Sequence, residues 1–193
     1  MPKTNQNSEK KICAAALRLT ASHGWSPLTL EHIAKTAKIP VAQVKKLCAD
    51  KNALLSLLVR YIDDNVKAAV GKPDMRATSH DRLFEVMMAR LDILQTHRKT
   101  ILDIIAETKR DPSLARILLP AQHQAMQNML ALAGLKEEGI KQFFATTGLL
   151  TIYVGVLCQW ERDETKDMSK TMATLDRYLR RAEKAAEIFF RAF

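Results

Sequence analysis

The sequence has little of what breaks or staples a chain: 6 glycines, 6 prolines and 3 cysteines in 193 residues. With 47% hydrophobic and 26% charged residues, this excludes collagen-like and low-complexity chains and leaves a packed globular protein. Cys13, Cys48 and Cys158 are odd in number and far apart. That excludes a disulfide framework and a CxxC metal site, and it points to reduced thiols in a cytoplasm. The first eleven residues, MPKTNQNSEKK, lack the apolar run of a secretion signal and read as a flexible basic arm. No segment shows the period-two alternation of a half-buried strand, and there is no internal repeat. HExxH, phosphate-cradling glycine loops and the GxSxG elbow are all missing, and His23, His32, His80, His97 and His123 show no ligand spacing. No catalytic residue, metal or cofactor is expected, and Asp163, Glu164 and Asp167 read as solvated residues of a charged linker.

What is present reads as helix throughout. Ile12, Ala15, Ala16 and Leu19 give a first helix from Lys11 to His23, with Gly24 placed for a left-handed cap. Thr29 can cap a second, short helix whose buried side is Leu30, Ile33, Ala34 and Ala37. Pro40 opens a third, to Leu47, and Asp50 can cap a fourth that runs to Gly71 with Leu54, Leu57, Leu58, Tyr61, Ile62 and Val66 on one face. Longer helices are expected at about 81–95, 98–109, 113–133, 137–161 and 168–192. Gln142 to Trp160 holds no charge, near the length that spans a bilayer, but its Gln, Thr and Gly content suits a buried helix at the centre of a soluble helical domain.

Charge is distributed unevenly. Residues 1–60 hold 10 Lys and Arg against 3 Asp and Glu, whereas residues 61–193 hold 20 against 18. A basic first third on a nearly neutral remainder suits a small unit that meets a polyanion, with nucleic acid the first candidate. Two short helices joined by a tight turn inside that third make a helix-turn-helix, whose second helix enters the major groove. Here that helix is VAQVKKLC. Val44 and Leu47 can face the core, leaving Val41, Ala42, Gln43, Lys45 and Lys46 toward DNA. Gln43 suits adenine edges or phosphates, and the lysines suit phosphate oxygens or guanine. The plainer reading of these lysines is a solvated helix face, and for Lys51 an ordinary surface residue at a helix start.

Over Lys10 to Leu58 the chain resembles the TetR family of bacterial regulators. Gly24, Thr29, Ile33, Ala34, Lys51, Leu54 and Leu55 occupy the family's pattern positions. The chain departs from it where the family usually has a turn glycine, a capping serine and a Tyr followed by His and Phe: here stand Lys38, Pro40, Lys45, Leu47 and Cys48. The resemblance implies an all-α protein with a helix-turn-helix domain at 1–50 and a helical effector-binding and dimerisation domain at 51–193, joined by the helix from about 50 to 70. It also implies DNA contacts from Thr29, Val41, Ala42, Gln43, Lys45, Lys46 and Lys51, and a cytoplasmic repressor binding a palindromic double-stranded operator as a homodimer.

In the C-terminal domain, Gly148 and Gly155 lie seven apart on one helix face, which suits close packing either within one subunit or at a dimer seam. Met172, Leu175, Leu179, Ala182, Ala186 and Phe189 form an apolar stripe on the last helix. Apolar and aromatic side chains at Met88, Leu91, Met126, Phe144, Tyr153 and Trp160 are either core or the wall of a pocket for a lipophilic effector. A second resemblance covers Trp160 to Ala185, to a ubiquinone-biosynthesis accessory family that shares the TetR fold and binds isoprenoid lipid without DNA. Arg177, Arg180, Arg181 and Lys184 mixed with Leu179, Phe189, Phe190 and Phe193 would suit an anionic membrane surface in that reading.

Overall fold

The computed structural model describes the backbone of residues 3–191 and the side chains of residues 6–186. Over the described residues the helical periodicity is realised as nine helices: α1 (Lys3–His23), α2 (Leu30–Ala37), α3 (Val41–Leu47), α4 (Ala53–Val70), α5 (Ser79–Thr96), α6 (Arg98–Arg110), α7 (Ser113–Leu132), α8 (Gly139–Arg162) and α9 (Ser169–Arg191). The backbone from Lys3 onward is continuous helix, so the expected basic arm is the first two turns of α1. The side chains of Phe189 and Phe190, and residue Phe193, lie outside the described residues.

The chain forms two compact units, each built from two separate stretches of sequence. The first takes residues 1–65 and 92–122, the second 66–91 and 123–193. In the first unit α1, α2, α3 and the start of α4 bury Ile12, Ala16, Trp25, Ile33, Val44, Leu54 and Leu58 together with Ile104 of α6. The Thr100 hydroxyl donates to the Leu17 carbonyl at 2.8 Å, and the Trp25 backbone N–H donates to the Asp103 carboxylate, so α6 is tied to both ends of this small core. Cys13 and Cys48 are buried in it, whereas Cys158 is exposed.

The punctuation works as its chemistry requires. Gly24 takes φ +87, a conformation that costs a side chain but not glycine. The Thr29 hydroxyl accepts from the His32 N–H at 3.2 Å, and Asp50 accepts from Ala53 N–H at 2.7 Å. Pro40 is the cap of α3, one place before its expected role as first helical residue, and offers no side-chain bond. Lys38 ends α2 in the left-handed region at φ 55 and ψ 46, and Ile39 N–H donates back to Ala34 at 3.0 Å. This is the Schellman arrangement, in which glycine is favoured because Cβ strains the left-handed backbone. Lys38→Gly is therefore expected to stabilise the protein by about 0.5–1 kcal/mol, read as a rise in melting temperature of roughly 2 °C. A lower melting temperature would mean that the lysine side chain contributes more than its strain removes.

In the second unit, α8 and α9 pack against each other. Thr146, Leu149, Tyr153, Val156 and Trp160 of α8 are buried, with Met87, Leu91, Met126, Met129, Leu175 and Leu179 also in the core. Arg90 is buried with its guanidinium 5.2 Å from the Tyr153 ring centroid. Gly155 settles one of the two readings left open: a Cβ there would stand 2.9 Å from Tyr178 Cε2, so this glycine serves a crossing inside one chain, while Gly148 faces open space. Of the expected stripe on α9, Leu175 and Leu179 are buried, but Met172, Ala182 and Ala186 are exposed.

Two expectations fail here. Although α8 is long and apolar enough to cross a membrane by length and composition, it is not wholly buried: Ile140, Phe143, Phe144 and Val154 are 72%, 57%, 51% and 49% exposed. Uncharged composition is shared by a buried helix and by one whose second apolar face stands open, so hydropathy alone cannot separate them. Asp163 is not a solvated linker residue either. It is buried and accepts from Thr165 N–H and Oγ1 at 3.1 and 2.5 Å and from Thr171 N–H and Oγ1 at 2.8 and 2.7 Å.

Candidate nucleic-acid interface

The residues that make the surface of α3 follow from which ones α3 must bury. Val44 is fully buried and anchors the helix, while Val41 and Leu47 are half-buried against the same core. Ala42, Lys45 and Lys46 remain exposed. Val41 is thus partly core, and the surface expected to face outward is narrower than the pattern implied. A seven-residue helix has room for one buried turn and one presented turn.

Each presented side chain has a defined neighbourhood. Gln43 is half-buried and its Nε2 donates to the Ser8 hydroxyl of α1 at 2.9 Å, so it is not simply a free reader of base edges. Lys45 Nζ lies 3.2 Å from Glu31 Oε1, and both side chains are more than half exposed. The Glu31 carboxyl is held below the usual carboxylate range, first by its own backbone N–H at the start of α2 and then by Lys45. Lys46 is exposed and enters no ion pair among the described residues. Thr29 is exposed, with its hydroxyl already accepting the first-turn bond of α2.

Lys51 behaves differently from a free surface cation. Its Nζ donates to the Trp25 and Ser26 carbonyls at 3.2 and 2.8 Å and sits 5.6 Å from the Trp25 ring centroid. An ammonium has three donors, so one remains for an anion. Sequence reasoning missed Ser8, Trp25 and Glu31, because they act across 35, 26 and 14 positions of chain that only the tertiary fold brings together.

Comparison with known proteins finds no family model that matches the chain and no match among curated proteins. Solved structures do match. A TetR transcriptional regulator from Nitrosomonas europaea superposes with a TM-score of 0.70 at 20% identity, over 91% of this chain and 97% of that one. The chain has the TetR fold. A TetR transcriptional regulator from Rhodococcus sp. RHA1 gives 0.61 at 15% identity, over 90% and 93%, and Salmonella enterica GusR gives 0.57 at 20%, over 89% and 93%.

Within this TetR fold, the residues expected to wall a pocket do not all lie together. Leu91, Met126, Tyr153 and Trp160 are buried in the second unit and Met88 is half-buried. Phe144 is half exposed, and at nine residues before Tyr153 it stands on the opposite side of α8. A cleft of about 360 Å³ lies in the first unit, between the end of α1 and α2, bordered by Leu19, His23, Leu28, His32 and Lys35.

Proposed function

We propose that the chain is a DNA-binding transcriptional regulator, a repressor that works as a homodimer on a palindromic site. The observation that carries this reading is the presented turn of α3, with Lys45 and Lys46 exposed beside each other on a helix-turn-helix in the basic third of the chain. Ala42 and Gln43 are then the residues nearest to base edges, while Thr29, Lys46 and Lys51 position the backbone. The open apolar face of α8 supports pairing with a second copy, since a stripe of this kind on a lone chain exposes surface that water disfavours. Met88, Leu91, Met126, Tyr153 and Trp160 are the residues through which a lipophilic effector would act, with Phe144 standing apart from them.

The test is fluorescence anisotropy of the full chain against its own upstream DNA and a scrambled duplex over a ladder of salt concentrations. Preference for the native duplex at physiological salt is the expected result. Lys45→Ala with Lys46→Ala should weaken binding to every sequence and make the dependence of log K on log salt shallower by about one to two, because lost phosphate contacts release fewer counterions. Unchanged affinity in the double variant would remove both lysines from the interface. Binding that is weak, blind to sequence and abolished by modest salt would overturn the regulator reading.

A further inference from the structure

Lys45 and Lys46 are neighbours on the presented turn, yet only one is free. Lys45 is 3.2 Å from Glu31, and Lys46 enters no ion pair among the described residues. Glu31 is one of only three acidic residues among the first sixty, against ten basic ones. Its placement on α2 opposite the recognition helix is therefore the exception in a segment that otherwise accumulates positive charge. The pair has little to offer the fold, because ion pairs between exposed side chains contribute from nothing to about 1 kcal/mol. α2 is already capped by Thr29 and anchored by Leu30, Ile33 and Ala34.

The pair matters once a phosphate arrives. Lys45 can meet a phosphate only by leaving Glu31, or by carrying a carboxylate up to a second anion, and both cost affinity. That cost falls on every duplex alike. An equal cost leaves the ratio of specific to non-specific affinity unchanged, but it empties duplex held only by phosphates at protein concentrations where a site with added base contacts stays filled. We propose that Glu31 is a built-in competitor for Lys45 that holds down non-specific DNA affinity, an inference that rests on the regulator reading above.

The test uses the full chain and a mixed-sequence duplex of about 30 base pairs, which measures the phosphate-driven part of binding without knowledge of the operator. Glu31→Gln is expected to bind roughly three- to tenfold more tightly than the wild type, with the slope of log K against log salt steeper by about one. Melting temperature checks that the variant stays folded, as an exposed side chain allows. The same substitution made in a Lys45→Ala background should gain less than about twofold, because the acid then has nothing to withhold. Wild-type binding combined with an unchanged Glu31→Gln affinity overturns the competitor while leaving the regulator intact. A full gain that persists in the Lys45→Ala background also overturns it, since the acid would then act as general negative charge. A wild type that binds no duplex at any salt overturns the regulator reading and this inference together.

Discussion

Replacing Asp163 with alanine is expected to destabilise the protein by about 3–5 kcal/mol, since it removes the acceptor of two buried donors on Thr171 and two half-buried ones on Thr165. The carboxylate is 2% exposed, sits where α8 ends and takes four hydrogen bonds from Thr165 and Thr171. Thr171 N–H is in the first turn of α9, so an acid belonging to the preceding helix serves as a cap at the positive end of the next one. Ser169 N–H is likewise served by Thr165 Oγ1 and Asp167, which leaves the α9 start supplied by this one short connection. Burial alone would raise the Asp163 pKa, but the hydrogen bonds from Thr165 and Thr171 outweigh it and hold the carboxyl well below the usual range. The sign follows from that direction. A depressed folded-state pKa contributes stability that is full above the unfolded carboxyl's value near about pH 4, and that is lost progressively as pH falls below it. Denaturant midpoints at neutral pH and at about pH 3 check this, and Asp163→Asn should flatten the acid-side loss because it carries no titrating group. An Asp163→Ala protein within about 1 kcal/mol of the wild type would show that the threonines find water in its place.

Gly155→Val is expected to cost about 2–3 kcal/mol. Valine is a better helix former than glycine by roughly 0.5 kcal/mol, so propensity alone argues for stabilisation. Packing decides the sign. The first added atom would meet Tyr178 Cε2 at 2.9 Å with two further ring carbons within 3.8 Å, and the branched methyl groups add to that crowding. Alanine at this site should be milder, since a half-buried tyrosine can swing by a few tenths of an ångström. Pairing Gly155→Val with Tyr178→Ala removes the obstacle and should recover most of the loss in a double-variant cycle. If valine proves neutral, the contact between α8 and α9 is looser than the separation implies.

Much of this architecture is legible in the sequence because it depends on local rules. The α5, α6, α7 and α8 boundaries fall within two residues of those expected from periodicity and punctuation, and Gly24, Thr29 and Asp50 perform the roles that their chemistry suggests. The start of α1 is not legible for the opposite reason. Residues 3–11 carry no apolar stripe, and the helix there buries Ser8 where the pattern shows only polar letters. The interface is legible in part. Exposure of Lys45 and Lys46 follows from the burial of Val44, but whether each lysine is free depends on Glu31, fourteen residues earlier on another helix. Asp163 is misread because a D-x-T turn in a charged stretch resembles any solvated linker until the fold closes over it, although that Asx-type spacing is itself a local signal.

The three thiols divide into two chemical populations. Burial, helped by Glu9 and Cys48, pushes the Cys13 thiol up to about 12, and burial followed by Asp50 raises that of Cys48, so neither is a nucleophile while the first unit is closed. Cys158 stands exposed on α8. A thiol-specific reagent added to the native protein therefore marks one position at once and the other two only during excursions of the helix-turn-helix unit to an open form. The lag between the first label and the next two is a stopwatch for how often that unit opens, built into the wild-type chain with no engineered probe.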